Sequence, residues 1–380
     1  MNTPSPRAPL APLAALRRQR PLMAGRDMHE PHRVSTPLEL LFDLTFVVAI
    51  AAAASQLHHA MAEHHLAQGL LGYVMAFFAI WWAWMSFTWF ASAYDTDDVT
   101  YRLWTMVQMV GVLLLAAGIP AASHGDFTVI TIGYAVMRIG LLALWLRVAR
   151  EHPDRARTAR RWALGLGVVQ ALWLARLALP PAWLYLSFAA LVVVELAIPV
   201  WSSRAGRIPW HAHHIAERYG LFTIIVLGEC VLGASNAVAG VITARGWSAE
   251  VGLVGFGSAS LVLALWWVYF LVPSADALHH HRDRAFNWGY GHFTVFASLA
   301  ALGASLEVVA DHLTAGAAIP GDATGVMALV AGAVAVYLLS VSWLGCYVMR
   351  HLARLGWVLF VALCILVGAV LLVSQGLPLA

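Results

Sequence analysis

The chain has 380 residues, of which 61% are hydrophobic and 11% charged, and its formal net charge is +3. A soluble domain carries about 25% charged residues, so this composition excludes a soluble protein and places most of the chain in the lipid bilayer. All 23 basic residues are arginine. Without lysine there is no ATP-binding P-loop, and the sequence predicts neither a nucleic acid partner nor a cofactor.

Residues 1–34 are rich in proline, alanine and arginine, which predicts a disordered cytoplasmic tail. Most of the apolar runs that follow reach the ~20 residues that a spanning helix needs, and they predict an all-α, polytopic membrane bundle of about 11 spans. The predicted spans are 37–57, 69–93, 103–122, 127–149, 162–179, 182–201, 215–241, 250–272, 287–310, 324–348 and 355–375.

The fifth and sixth predicted spans are separated only by Pro180-Pro181. They form either a tight hairpin or one broken helix. Arginines are concentrated in the tail and in the even-numbered connections, whereas the odd-numbered connections are nearly free of arginine, with Arg245 as the exception. Basic loops stay in the cytoplasm, so we expect the N-terminus inside and, with an odd number of spans, the C-terminus outside.

A similar unit occurs twice along the chain. Each copy begins with an apolar helix that carries an acidic residue near its N-terminal end, Glu39 in the first and Glu217 in the second. The next span carries a tryptophan pair in both copies, Trp81-Trp82 and Trp266-Trp267. Since the two copies begin with spans of the same direction, the sequence predicts parallel repeats.

The predicted repeats contain five spans each and occupy residues 35–180 and 209–376. The unpaired sixth span and its loop, residues 181–208, join them as a linker. Repeated bundles are common in secondary transporters, where the site lies at the repeat interface.

These segments also resemble a known family, the bacterial low temperature requirement A family. The resemblance depends on Thr36–Leu44 (TPLELLFDL), Trp81-Trp82, His214–Phe222 (HIAERYGLF) and Ile225–Glu229 (IVLGE). It covers residues from about 33 to the end, and Cys230 stands where the family usually has serine. The resemblance implies a multi-pass protein of the bacterial inner membrane. It implies no reaction, because the family name records a growth phenotype.

Ionisable residues at membrane depth are costly, by about 2.5–3.5 kcal/mol on insertion scales, and are therefore candidates for function. The candidates for a substrate or proton pathway are Asp43, Glu229, Arg138, Arg218, Glu217, Glu39 and Glu195. Glu39 also completes a Thr36-Pro37-Leu38-Glu39 capping box, so a purely structural role is open. Asp43 lies one turn deeper on the same face and cannot cap that end. The sequence predicts that it forms an ion pair with an arginine.

Arg218 and Glu229 lie on one stripe of the seventh span but are about 16 Å apart, so each needs a partner on another helix. We expect Arg138, ahead of Arg218, to be the counter-ion of Asp43 or Glu229. Glu229 is either a neutral, hydrogen-bonded acid that joins two helices or a proton site.

An acidic cytoplasmic loop provides a candidate gate, formed by Asp95, Asp97, Asp98 and Arg102. These residues either receive a cation or pair with arginines of other loops. His58–His65 could bind a transition metal, but no metal site is predicted, because a solvated loop explains these histidines as well. His211, His213 and His214 lie at the inner end of the seventh span, close to Glu217.

The tryptophans near span ends are predicted to be interfacial anchors. They are Trp81, Trp82, Trp84, Trp89, Trp266 and Trp267. The sequence thus favours a secondary transporter of a small solute, with protons as the candidate coupling ion through Asp43 or Glu229. The alternatives are a membrane-embedded enzyme acting on lipids or isoprenoids and a non-transporting protein of cold adaptation. No oligomeric state is predicted.

Overall fold

The computed structural model describes residues 22–30, 33–315, 323–349 and 353–376. All regular structure in this part of the chain is helical, which confirms the predicted all-α bundle. The helices are α1 Pro37–Ala62, α2 Leu66–Tyr94, α3 Val99–Ser123, α4 Thr128–Glu151, α5 Ala156–Arg176, α6 Leu184–Ser203, α7 Ala212–Arg245, α8 Ala249–Phe270, α9 Ser274–His280, α10 Ala285–Ala315, α11 Ala323–Met349 and α12 Ala353–Ser374.

Within the described residues, ten helical stretches are long and apolar enough to cross a membrane. The helix that falls short is α5, whose first turns carry Arg157, Arg160 and Arg161. The short α9 connects α8 to α10. The Pro180-Pro181 pair separates two distinct helices, α5 and α6, which pack against each other. The hairpin alternative is therefore the one observed.

Side-chain caps fix where α1 and α7 begin. Thr36 accepts a hydrogen bond from the Glu39 N–H (3.3 Å), and the Glu39 carboxylate accepts one from the Thr36 N–H (2.8 Å). This is the capping box that the sequence predicted. The His211 side chain caps α7 by accepting from the His214 N–H. Because α1 and α7 pack together, their capped ends carry charged residues to the same region of the bundle.

The helices of the two halves pack in the same order. In the first half α1 packs against α2 and α3, α3 against α4, and α4 against α5. In the second half α7 packs against α8 and α10, α10 against α11, and α11 against α12. The predicted five-span repeat would produce this correspondence, and the repeat itself stays a prediction. The halves meet where α1 packs against α7 and α10.

The buried helix α2 overturns one sequence-based expectation. Trp81, Trp82 and Trp84 were predicted to be interfacial anchors, but all three are buried in the core. The second pair behaves differently: Trp266 is 41% exposed and Trp267 is 63% exposed. Helix α2 contacts helices of both halves, so its tryptophans are enclosed by protein, whereas α8 leaves its pair uncovered.

A segment before α1 is ordered against the bundle. Met23 is completely buried, and its N–H donates to the Glu151 carboxylate over 2.8 Å. The Arg26 N–H donates to the Ala93 carbonyl at the end of α2. The expectation of a disordered tail over 1–34 therefore needs correction for residues 22–30. Residues 1–21 lie outside the described part of the chain.

Candidate functional site

Charged side chains meet in the core between the N-terminal ends of α1 and α7. Arg218 forms a bidentate ion pair with Asp43, with Nε 3.0 Å from Oδ2 and Nη2 2.5 Å from Oδ1. Its Nη1 lies 3.0 Å from Oε1 of Glu39, and all three side chains are 0% exposed. The His214 ring lies 3.2 Å from the same Glu39 carboxylate. We call this group, with Arg33 and Asp95 described below, the Arg218 cluster.

Helical spacing on two neighbouring helices builds this arrangement. Glu39 and Asp43 are four residues apart on α1, so they lie on one face, one turn above the other. His214 and Arg218 have the same spacing on α7. Two acidic side chains on α1 therefore face two basic side chains on α7. Each contact joins the first half of the protein to the second.

Helix α2 closes the cluster on a third side. The Trp84 indole N–H donates to Oδ1 of Asp43 over 2.7 Å. One turn further along, the Thr88 hydroxyl lies 3.4 Å from Nη2 of Arg218. The Trp84 ring stacks on Phe222 of α7 with 4.1 Å between ring centroids. These contacts exclude water and lipid from the ion pair, so its electrostatic interactions are strong.

Arg33 and Asp95 extend the cluster towards the end of the bundle. Nη2 of Arg33 lies 3.7 Å from Asp95 and 3.8 Å from Glu39. With His214 neutral, the cluster contains three carboxylates and two guanidinium groups, and thus one excess negative charge. Burial, and after it the charge of Glu39, raise the pKa of Asp95 to about 6. Asp95 therefore gains its proton at a higher pH than an ordinary aspartate, at about 6.

A cavity of about 770 Å³ adjoins the cluster at the same end of the bundle. Its lining includes Arg33 of the cluster together with Glu30, His211 and Glu217. This volume lies within the range of about 300–1,000 Å³ that is usual for small-molecule sites. Burial lowers the pKa of His211, so this histidine is neutral over most of the physiological range. Arg33 thus connects the buried carboxylates with this cavity.

A second buried ion pair lies on the opposite side of α2. The Glu195 carboxylate accepts hydrogen bonds from Arg138 (3.0 Å), Trp82 (2.7 Å), Tyr134 (3.1 Å) and Trp173 (3.1 Å). We call these five residues the Glu195 cluster. Trp82 and Trp84 are two residues apart, about 200° around the helix, so they reach opposite sides of α2.

The expected role of Arg138 as the counter-ion of Asp43 or Glu229 is therefore wrong. Helix α4, which carries Arg138, packs against α3 and α5 and has α2 between itself and the Arg218 cluster. Arg138 pairs with Glu195 instead. Arg218, the second choice, is the actual partner of Asp43.

Glu229 lies apart from both clusters. It is half-buried on α7, eleven residues beyond Arg218. Its backbone lies against Gly303 of α10, where an added Cβ would come within 2.8 Å of the Glu229 Cβ. No described side chain donates a hydrogen bond to its carboxylate. The nearby Glu307 is bonded by Asn236 over 2.6 Å.

The three aspartates of the predicted gate have separate partners. Asp97 pairs with Arg102 at the exposed surface, with 2.6 Å between Nη2 and Oδ2. Asp98 caps α3 and bonds to Arg147. Burial alone would raise the pKa of Asp98, but the hydrogen bond from Arg147 holds it below its usual value. Of the three aspartates, only Asp95 joins the Arg218 cluster.

The histidines of the predicted outer loop do not converge on one point. His58 pairs instead with Asp311 at the far end of α10, with 2.6 Å between Nε2 and Oδ2. Among the described residues, no group of three or more histidine, cysteine or acidic side chains has the arrangement of a metal site.

Sequence reasoning missed several partners of these carboxylates. Arg33 counted only towards the predicted orientation in the membrane, and Trp82 and Trp84 only as interfacial anchors. The signal that was missed is the position of Trp84 within its span. It lies ten residues before the end of the 29-residue helix α2, too far from that end to be an interfacial anchor. The N–H of a buried tryptophan usually has an acceptor, and the acidic residues of other spans, Asp43 and Glu195, were candidates.

Comparison with known proteins identifies the chain's relatives. The profile of a family described as bacterial low temperature requirement A protein matches residues 34–380. A protein of Rhizobium meliloti (strain 1021), described as uncharacterized, is 28% identical over 280 residues, which cover 69% of this chain and 66% of that protein. The alignment thus spans just under two thirds of the relative's length. No solved structure matches the chain.

Proposed function

We propose that this chain, which belongs to the bacterial low temperature requirement A family, is a proton-coupled carrier of a small solute in the bacterial inner membrane. The observation that supports the proposal is the charge imbalance of the Arg218 cluster. Three carboxylates share two guanidinium groups in the core, and the cluster touches a cavity through Arg33.

The position of the cluster connects proton binding with movement of the two halves. Glu39 and Asp43 belong to α1 and Arg218 belongs to α7, so the ion pairs cross between the halves. A proton on one carboxylate weakens its attraction to Arg218 and changes the free energy of the contact between α1 and α7. In carriers with repeated bundles, one half rocks against the other around the site. Proton binding at this contact would bias that rocking.

Because the groups of the cluster interact strongly, the proton belongs to the cluster rather than to one residue. Asp95 takes it most readily in the state described here, since burial raises its pKa to about 6. Asp43 is held most firmly, because Arg218 and Trp84 together donate three hydrogen bonds to it. Breaking the Asp43–Arg218 pair therefore requires the largest change in the cluster. We assign this step to the conformational change that moves the opening of the site from one side of the membrane to the other.

Reconstituted liposomes test this proposal. Purified protein is inserted with pyranine inside the vesicles, and an outside-acid pH gradient is imposed in the presence of a panel of small organic anions and neutral solutes. We expect solute-dependent proton entry for the natural protein and its loss in Asp43→Asn. This variant keeps the size of the side chain but cannot carry a charge.

Glu229→Gln is the matched comparison, because it also replaces a carboxylate within a span but lies outside the cluster. We expect it to retain proton entry. Loss in Glu229→Gln with retention in Asp43→Asn would move the coupling site to Glu229. The absence of flux with every solute, in vesicles that contain folded protein, would reject the carrier and favour the cold-adaptation alternative.

A further inference from the structure

A second cavity lies between the two halves, at the same end of the bundle as the first. Its volume is about 370 Å³, and α2, α4, α5 and α10 contribute its walls. Those walls are aromatic and include Trp89, Phe90, Trp145, Trp162 and Tyr290. Trp145 and Trp162 stack in parallel, with 5.0 Å between centroids and 2° between planes. Such walls suit a flat apolar body.

Three arginines and one acidic residue line the same cavity: Arg155, Arg207, Arg282 and Asp283. They give its lining a net charge of +2. Arg282 lies over the ring of Trp210, 3.9 Å from the centroid, and is thereby held in place. The exposed side chain of Arg207 makes no hydrogen bond or ion pair with other described residues and is free to bind a ligand.

One tryptophan of the wall carries an unsatisfied donor. The indole N–H of Trp145 is buried and has no acceptor among the described residues. Buried donors in proteins are nearly always hydrogen-bonded. The Trp145 ring lines the cavity, but its nitrogen is shielded from the cavity space, so a bound oxygen would reach it only after the ring turns. The ligand would present an apolar body to the tryptophans and its charged group to the arginines.

We propose that this cavity binds a small organic anion with a flat apolar body, and that anions of this class are the solute of the carrier proposed above. The second part rests on that proposed function. The volume is at the lower end of the range for ligand sites, which favours a compact molecule over a whole phospholipid. The anionic group could still belong to a free solute or to a lipid headgroup, and the experiment separates these sources.

Contacts connect this cavity with the Arg218 cluster. Trp89 lines the cavity and donates to the Tyr219 hydroxyl over 3.0 Å. Tyr219 packs edge to face on Trp84, with 4.9 Å between centroids. Trp84 in turn donates to Asp43. A ligand that shifts Trp89 therefore acts on a chain of contacts that ends at Asp43, the carboxylate whose release from Arg218 is part of the carrier proposed above.

Direct binding to the protein in phosphatidylcholine nanodiscs tests the site. The probe is 1-naphthoate, its uncharged comparison is 1-naphthamide, and quenching of tryptophan fluorescence reports occupancy. We expect naphthoate to bind and naphthamide to bind at least tenfold more weakly. Arg207→Gln removes one charge-assisted contact and should weaken naphthoate binding about tenfold.

Arg204→Gln is the matched control, because it removes the same charge from the same loop at a residue that does not line the cavity. It should leave binding unchanged. Equal weakening by both variants, equal affinity for the two probes, or no binding would overturn the inference. Displacement of naphthoate by phosphatidylglycerol in the natural protein, but not in Arg207→Gln, would assign the cavity to a lipid headgroup and overturn the solute assignment.

Failure of the anion site and failure of the carrier proposal give different results. Naphthoate binding that depends on Arg207, without naphthoate-driven proton entry in liposomes, would reject the carrier and leave the anion site standing. Proton entry with other solutes that is unaffected by Arg207→Gln would reject the anion site and leave the carrier standing.

Discussion

The two buried clusters on opposite sides of α2 satisfy their carboxylates in different ways. Glu195 accepts four hydrogen bonds and has one cation, Arg138, for its one charge. In the Arg218 cluster three carboxylates share two guanidinium groups. Oδ2 of Asp95 has no hydrogen bond, and the 3.0 Å contact between Glu39 and Arg218 lacks hydrogen-bond geometry. One cation balances the one carboxylate of the Glu195 cluster, although Nη1 of Arg138 has no hydrogen-bond partner among the described residues. The Arg218 cluster is not balanced, which is why we propose that it exchanges protons.

The clusters also differ in the helices that they join. The Glu195 cluster connects α2, α4, α5 and α6, all from the predicted first half and its linker. The Arg218 cluster connects α1 and α2 with α7 of the other half. Movement of one half against the other would therefore disturb the second cluster and leave the first intact.

The largest effect on stability is expected in the Glu195 cluster. Glu195→Leu leaves Arg138 buried without its counter-ion, which should cost about 3–5 kcal/mol in the free energy of unfolding. The double variant Glu195→Leu/Arg138→Met removes both charges and should recover most of that loss. Unfolding by denaturant in detergent micelles measures both. If the double variant were no more stable than the single one, the ion pair would not be the source of the loss.

The protonation of Asp95 should appear in the pH dependence of stability. Its pKa is about 6 in the folded protein, against an ordinary value of 3.8 for an aspartate side chain, so the folded state binds more protons between these values. Stability from this group is complete below pH 3.8 and is lost as the pH rises through about 6, by at most roughly 3 kcal/mol. Asp95→Asn should remove this slope and leave the protein at least as stable as the natural one at pH 7.5.

Asp98→Asn is the control for Asp95→Asn and should behave in the opposite way. Arg147 holds the pKa of Asp98 below its usual value, so the charged form stabilises the fold. The variant should lose stability at neutral pH, and the loss should shrink as the pH falls through the lowered pKa. Melting temperatures from pH 8 down to below 3.8, the ordinary pKa of an aspartate side chain, decide the comparison. For each variant, the quantity compared is the difference in melting temperature from the natural protein as a function of pH. If this difference changed with pH in the same direction for both variants, the assigned charge balance would be wrong.

Removal of one hydroxyl from each cluster should give smaller effects. Tyr134→Phe deletes a donor to the charged Glu195 and should cost about 1.5 kcal/mol in unfolding free energy. Thr88→Val deletes only the 3.4 Å contact with Arg218, so we expect a smaller loss, about 0.5 kcal/mol. The same denaturation assay ranks them. A larger loss in Thr88→Val than in Tyr134→Phe would mean that the hydrogen bonds of the Glu195 cluster do not contribute more to stability than those of the Arg218 cluster.

The smallest effect is expected at the exposed pair of Arg102 and Asp97, which belongs to neither cluster. Exposed ion pairs contribute little, because water and salt screen them. Arg102→Gln should therefore leave both the melting temperature and the liposome proton flux unchanged. A clear loss of flux at unchanged melting temperature would restore this pair as a cytoplasmic gate.

Sequence determined those features that depend on helical period alone. Long apolar runs required a helical membrane protein, and Thr36-Pro37-Leu38-Glu39 fixed the start of α1 through its capping box. The four-residue spacing placed Asp43 on the same face as Glu39. The eleven residues between Arg218 and Glu229 kept those two apart. Each of these features follows from one helix without reference to its neighbours.

Tertiary structure decided which charges became partners. The sequence favoured Arg138 over Arg218 as the counter-ion of Asp43, but α2 lies between Arg138 and Asp43, and Glu195 is the acid within reach of Arg138. The same packing buried Trp84 and brought Asp95 into the Arg218 cluster while Asp97 stayed at the surface. Helical period sets the face on which a side chain lies. Which helix meets that face depends on the packing of all the helices together, which no local spacing records.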